Sequence, residues 1–178
     1  SIVGLCLNES SCDPIKIIGK MMDMPFCHMH GPEHHIMVGC ALLTAYANAG
    51  AEIDLPSALN EMISRGSKIP GGACGFWGAC GAAVSTGMFM SIITGSTPLG
   101  FKEWGYSNLM TSRSLAGIGE IGGPRCCKRN SYMSVLSAVE YVEEVTGIRM
   151  EKSDIKCTHT ASNRQCIGTR CPFHPSNQ

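Results

Sequence analysis

Gly122-Gly-Pro-Arg-Cys-Cys-Lys-Arg-Asn-Ser-Tyr-Met-Ser-Val-Leu-Ser-Ala-Val-Glu-Tyr-Val-Glu-Glu-Val-Thr-Gly147 commits the chain to helices. A glycine pair and Pro124 break whatever precedes it. Met133, Leu136, Val139 and Val142 then recur at helical spacing, and Gly147 supplies a stop. The expected helix covers residues 124–146. Cys126 and Cys127 fall in its first turn, flanked by Arg125, Lys128 and Arg129. A helix N-terminus and basic neighbours both favour thiolate over thiol. Architecture and chemistry are therefore read from the same segment.

The segments on either side carry similar punctuation. Residues 104–119 read as a further helix and residues 80–94 as a buried one. No charged residue occurs from Ile69 to Phe101, but the apolar run from Ala82 to Ile93 is short for a membrane span. Pro70-Gly-Gly-Ala-Cys-Gly-Phe-Trp-Gly-Ala-Cys-Gly81 is too glycine-rich to form an element of its own and feeds that buried helix. Phe76 and Trp77 are expected to fill the core. Residues 54–65 form an amphipathic helix with Leu55, Leu59, Met62 and Ile63 inward. Residues 32–48 form another, opened by Pro32 and Glu33, with Tyr46 and Asn48 on its more polar side. Asp13 caps and Pro14 opens a short helix to about Met24, and residues 1–11 are a lead-in. Period-two alternation never lasts more than a few residues. The fold class is therefore all-α: a single-domain bundle of five or six helices over residues 1–150, followed by an irregular Cys/His-rich tail at 151–178.

Composition narrows the function. Net charge is zero and charged residues make up 16%, which leaves no basic field for nucleic acid and no polybasic segment for a membrane surface. Eleven cysteines exceed ordinary usage, and an odd number cannot all be paired in disulfides. The opening Ser1-Ile-Val-Gly-Leu has neither the basic start nor the long apolar run of a secretory leader. A reducing cytoplasm, with thiols used for metal or redox chemistry, is the expected setting. Eleven methionines beside these thiols suit an anaerobe. The missing initiator methionine fits a processed chain or a piece of a longer one.

A second dense stretch is Met24-Pro-Phe-Cys-His-Met-His-Gly-Pro-Glu-His-His-Ile-Met-Val-Gly-Cys40, which holds four of the six histidines. Cys27, His28 and His30 stand in the approach to a helix, with His34 and His35 in its opening turns. Imidazole and thiolate both ligate soft or borderline metals. Cys74 and Cys80 occupy the glycine-rich approach to the next helix. Three such approaches thus carry thiols; if they converge, the bundle presents a thiolate-lined, electropositive pole. In the tail, Cys157, Cys166 and Cys171, with His159 and His174, read as a metal knuckle. Zn²⁺ would suit it, and so would an iron–sulfur cluster with a fourth ligand from elsewhere.

Gly39-Cys40-Ala41, Cys80-Gly-Ala and Cys127, in that order, resemble the C-GCAxxG-C-C family of helical cysteine proteins, which are suspected of redox or metal roles. By that resemblance Cys27, Cys40, Cys80 and Cys127 are the family's cysteines, and Thr44 stands where its motif ends in glycine. His30-Gly-Pro-Glu-His-His35 and the terminal Cys166-Ile-Gly-Thr-Arg-Cys171-Pro resemble more closely an uncharacterised domain family found in part beside methyltransferase domains. That resemblance covers most of the chain from Cys12 onward. It implies a methyltransferase or redox protein as partner and carries no activity with it.

These readings combine into a metal-dependent cysteine protein, with an iron–sulfur centre for redox or sulfur transfer. Cys27, Cys40, Cys80 and Cys127 are the expected central set, and Cys74 and Cys126 are alternates. His34 or His35 would ligate or donate a proton, Glu33 would orient an imidazole, and Cys126 and Cys127 would be the reactive thiols. Two alternatives stand beside this. One is an enzyme using a thiolate nucleophile on a small thiol, sulfur or methylated substrate. The other is a zinc-stabilised interaction module of a larger assembly.

Overall fold

The computed structural model describes residues 1–177, which contain eight α-helices and no strand. They are α1 (Ile2–Leu7), α2 (Pro14–Met22), α3 (His34–Asn48), α4 (Leu55–Gly66), α5 (Ala73–Phe76), α6 (Gly81–Thr94), α7 (Lys102–Ile121) and α8 (Cys127–Thr146). Three short 3-10 turns follow in the tail. The all-α class holds, while five or six helices undercounts the bundle. The two extra ones are short. Ser1 accepts from Gly4 N–H to start α1, and the buried Cys6 anchors it, so the expected lead-in is helical. The glycine-rich stretch likewise contains the single turn α5, started by Gly72 at φ 84°.

Local chemistry accounts for the longer elements. Asp13 Oδ1 accepts from the backbone N–H of Ile15 and Lys16 at the start of α2, as its sequence position implies. Asp54 Oδ1 likewise accepts from Ser57 N–H at the start of α4. Leu59 and Met62 of α4 are buried, and Leu55 and Ile63 are half-buried. Helix α3 starts at His34, two residues later than expected, because Gly31-Pro32-Glu33 forms the turn into it.

Helix α3 is the axis of the bundle. It is buried almost all round from His34 to Tyr46 and packs on α1, α2, α4, α6 and α8. A helix apolar on every face belongs at the centre of a core. Tyr46 is not on a polar side: it is 7% exposed and meets Phe89 edge-on, with ring centroids 5.7 Å apart. Thr44 is fully buried, its hydroxyl donating to Cys40 O at 2.8 Å. Helix α6 lies against α3 and carries α7 on its other side. Gly87 marks the close approach to α7, where an added Cβ would run into Thr111.

The residues after Gly147 pack back onto the bundle. Met150, Ile155, Cys171 and Phe173 are buried. Ser153 Oγ donates to Asp13 Oδ2, Glu151 N–H donates to Cys12 O at 3.0 Å, and Phe173 meets Tyr132 of α8 edge-on at 5.7 Å. Phe76 and Trp77, expected in the core, are instead 90% and 66% exposed. The turn of α5 is too short to bury a second face, so both rings point outward from its end. No described helix is long and apolar enough to cross a membrane.

Candidate functional site

The N-termini of α3, α6 and α8 converge, as the thiol-bearing approaches required. His30, in the approach to α3, accepts from Cys127 N–H at its Nδ1 (3.4 Å). Its Nε2 therefore carries the proton and donates to Asn163 Oδ1 at 3.1 Å. Asn130 of α8 donates to the sulfur of Cys80, which caps α6, at 3.4 Å. His35 lies against the start of α6, where a side chain at Gly81 would overlap its ring. Its Nδ1 donates to Ile69 O at 3.3 Å.

Around this pole two groups of side chains form. The first is built on Lys128, read from the sequence only as a basic neighbour of Cys126 and Cys127 and here 2% exposed. Its Nζ donates to Cys27 Sγ at 3.0 Å, to His28 O at 3.0 Å and to His34 Nε2 at 3.4 Å. His34 gives its Nδ1 proton to Gly31 O at 3.0 Å, leaving Nε2 as an acceptor toward Lys128, with Cys27 Sγ 3.6 Å away. Glu33 Oε1 accepts from His28 N–H at 2.7 Å and lies 3.8 Å from His34 Nδ1. Burial, then the charge of Lys128, push the His34 imidazole down to about 4. Burial raises the Cys27 thiol, with Lys128 pulling the other way. The donor atoms of Cys27, Glu33 and His34 lie within 4.8 Å of one another and could hold a metal ion.

The second group unites segments that the sequence keeps apart. Cys126, Cys157, Cys166 and Cys171 line one cavity, together with Arg129, Asn163 and His174. Cys126 is the N-cap of α8. Its sulfur accepts from Arg129 N–H and from Asn163 Nδ2, each at 3.5 Å. His159 N–H reaches Cys157 Sγ and Gly168 N–H reaches Cys166 Sγ, each at 3.4 Å. Gly168 adopts φ 62°, a left-handed conformation that glycine takes without strain. The Arg129 guanidinium is buried, with Nη2 on the carbonyls of Gly122 and Pro124 and Nε without a partner.

Several expectations need correcting. Cys40 is fully buried in α3, where its carbonyl accepts from the Cys6 thiol at 3.9 Å; it does not join the pole. A side-chain contact with the Cys6 thiol, then burial, raises the Cys40 thiol. Cys74 is half-buried on α5 and packs against the core. Cys127 does not gain a lowered pKa, because burial pushes its thiol up to about 11 despite Arg125 nearby. Cys126 and Cys127 also part company: one faces the tail thiols, the other Cys80 and Gly31. In the tail, His174 lines the cavity, while the His159 ring turns to Asp23, with Nε2 3.9 Å from Oδ1.

Lys128, Arg129, Asn130, His30 and Asn163 were not among the expected site residues. A signal existed for Lys128. It shares a helical face with Tyr132, Val135, Val139 and Val142, all of which are buried. A basic residue on a buried stripe needs a partner at its tip. Asn163 gave no comparable cue, since only the folding of the tail brings it to His30.

Fold and site define a helical, cysteine-rich protein with donor groups suited to metal. The chain belongs to DUF5714, a family of unknown function, whose family pattern matches residues 2–174. Comparison with curated proteins and with solved structures gives no match.

Proposed function

We propose that this is a metal-dependent cysteine protein carrying an iron–sulfur cluster on Cys126, Cys157, Cys166 and Cys171, used for redox or sulfur transfer. The observation that carries the reading is the convergence of these four thiols, one from a helix start and three from the tail, on one cavity. N–H groups directed at three of the sulfurs favour thiolate and would tune a bound cluster. Arg129 brings a buried positive charge to the same cavity, which suits an anionic cluster–thiolate assembly.

Four cysteine thiolates are the usual ligand set of an iron–sulfur cluster, and a set that zinc also accepts. Cys171-Pro172 also ends the ligand run as cysteine-proline ends many iron–sulfur motifs.

Anaerobic purification and reconstitution, followed by iron and acid-labile sulfide assays, test it. About four iron and four sulfide per chain are expected for a cubane held by four thiolates. Cys126→Ser should lower both. Less than one iron per chain, or zinc retained in place of iron, contradicts the proposal.

A further inference from the structure

Lys128 is nearly fully buried, and all three of its ammonium protons have acceptors: Cys27 Sγ, His28 O and His34 Nε2. None of these is a carboxylate. The Glu33 carboxylate, within 4.8 Å of Cys27 Sγ, spends Oε1 on His28 N–H and lies toward the other nitrogen of His34. A buried ammonium without a counter-charge is costly. Of the atoms it touches, the Cys27 sulfur alone can carry a negative charge. Lys128 also contacts Cys27 Sγ and His34 Nε2, on two of the three residues whose donor atoms could otherwise close around a metal ion. The group is therefore organised around a protein cation facing a sulfur.

This arrangement discriminates among reactions of Cys27. Alkylation or acylation ends in a neutral sulfur and strands the ammonium. A reaction that leaves an anionic sulfur on Cys27 keeps the pair intact. Transfer of a zero-valent (sulfane) sulfur does so, because a persulfide is more acidic than a thiol and stays ionised. Cys27 is partly exposed, and its neighbour His28 stands in solvent, so a small donor can reach it from that side.

We propose that Cys27 accepts a sulfane sulfur from a low-molecular-weight persulfide or polysulfide and holds it as a persulfide anion against Lys128. In the transfer, Cys27 attacks the outer sulfur of R–S–SH as the thiolate, the form that burial disfavours and that the Lys128 ammonium at 3.0 Å supports. A new S–S bond forms on Cys27 as the donor's S–S bond breaks. The departing RS⁻ takes the proton of the outer sulfur and leaves as RSH, and Cys27–S–S⁻ remains. No external oxidant or reductant enters. His34 is a positioning residue: with its Nδ1 proton fixed on Gly31 O, its Nε2 accepts from Lys128 and aims the ammonium at the sulfur. The inference does not depend on metal in the tail cavity.

Glutathione persulfide added anaerobically to the wild-type chain, with peptide mass mapping of the added sulfur, tests it. Cys27 should take up sulfur at least about tenfold faster than the half-buried Cys12, the factor that one hydrogen bond from a charged donor supplies. Lys128→Met should remove that advantage, and Lys128→Arg should restore part of it. Because Lys128→Met removes a buried group and can impair folding, a second readout uses wild-type protein alone. Chain persulfidated at Cys27 should keep its melting temperature, whereas chain carrying a neutral thioether there should melt lower. Equal sulfur uptake at Cys27 and Cys12, or a thioether adduct as stable as the persulfide, overturns the proposal.

Discussion

His34 shows how much of the site depends on single side chains. It is 1% exposed, gives one ring proton to Gly31 O, and faces the Lys128 ammonium with the other nitrogen. Its imidazole therefore stays neutral down to about pH 4 in the folded chain, against about 6.5 when unfolded. The unfolded chain binds this proton first, so stability is fully present above about pH 6.5 and is lost as pH falls toward 4. The loss from this residue is roughly 3 kcal/mol. Burial lowers His30 and His35 in the same direction. Urea midpoints measured between pH 7 and pH 4 should fall steadily, and His34→Asn, which can keep the donor to Gly31, should flatten that fall. A wild-type midpoint independent of pH over this range would contradict the assignment. Little of this was legible beforehand. The sequence placed His34 at the start of a helix among thiols, but its decisive neighbour, Lys128, lies 94 residues away on another element.

Among the elements, most was legible for the long amphipathic helices and least for the short ones. Asp13-Pro14 announced α2 through its cap, the spacing of Leu55, Leu59, Met62 and Ile63 announced α4, and Gly147 announced the end of α8. Helices α1 and α5 were missed because a helix of one or two turns leaves no period to read; its register comes from what it packs against. Convergence of the α3, α6 and α8 starts was foreseeable only as a condition. What enforces it is close packing between the His35 ring and the start of α6, and Gly81 makes that possible. Gly81→Ala should therefore destabilise the protein by about 1–3 kcal/mol. Gly75→Ala in α5, where an added Cβ meets nothing within 4 Å, should be neutral or stabilising by up to about 1 kcal/mol. Thermal melts of the two variants decide the point; equal stability would mean that this contact does not set the packing of the pole.

For the whole molecule, the tail matters as much as the bundle. Cys157, Cys166 and Cys171 were read as a ligand set lacking a fourth member, while Cys126, which lines the same cavity, was read as a reactive thiol and an alternate in the central set. Sequence distance concealed the link: the contacts of Phe173 on Tyr132 and of Asn163 on both His30 and Cys126 form only once the tail folds back across α8. The bundle thus provides one thiol and a buried arginine, and the tail provides three thiols. Neither part brings four thiols to this cavity by itself. A crystal structure of anaerobically prepared protein, with anomalous scattering measured at the iron absorption edge, tests this most directly. The account predicts a strong iron signal enclosed by Cys126, Cys157, Cys166 and Cys171. A cavity without iron signal, or a signal ligated instead by Cys27, Glu33 and His34, would contradict it.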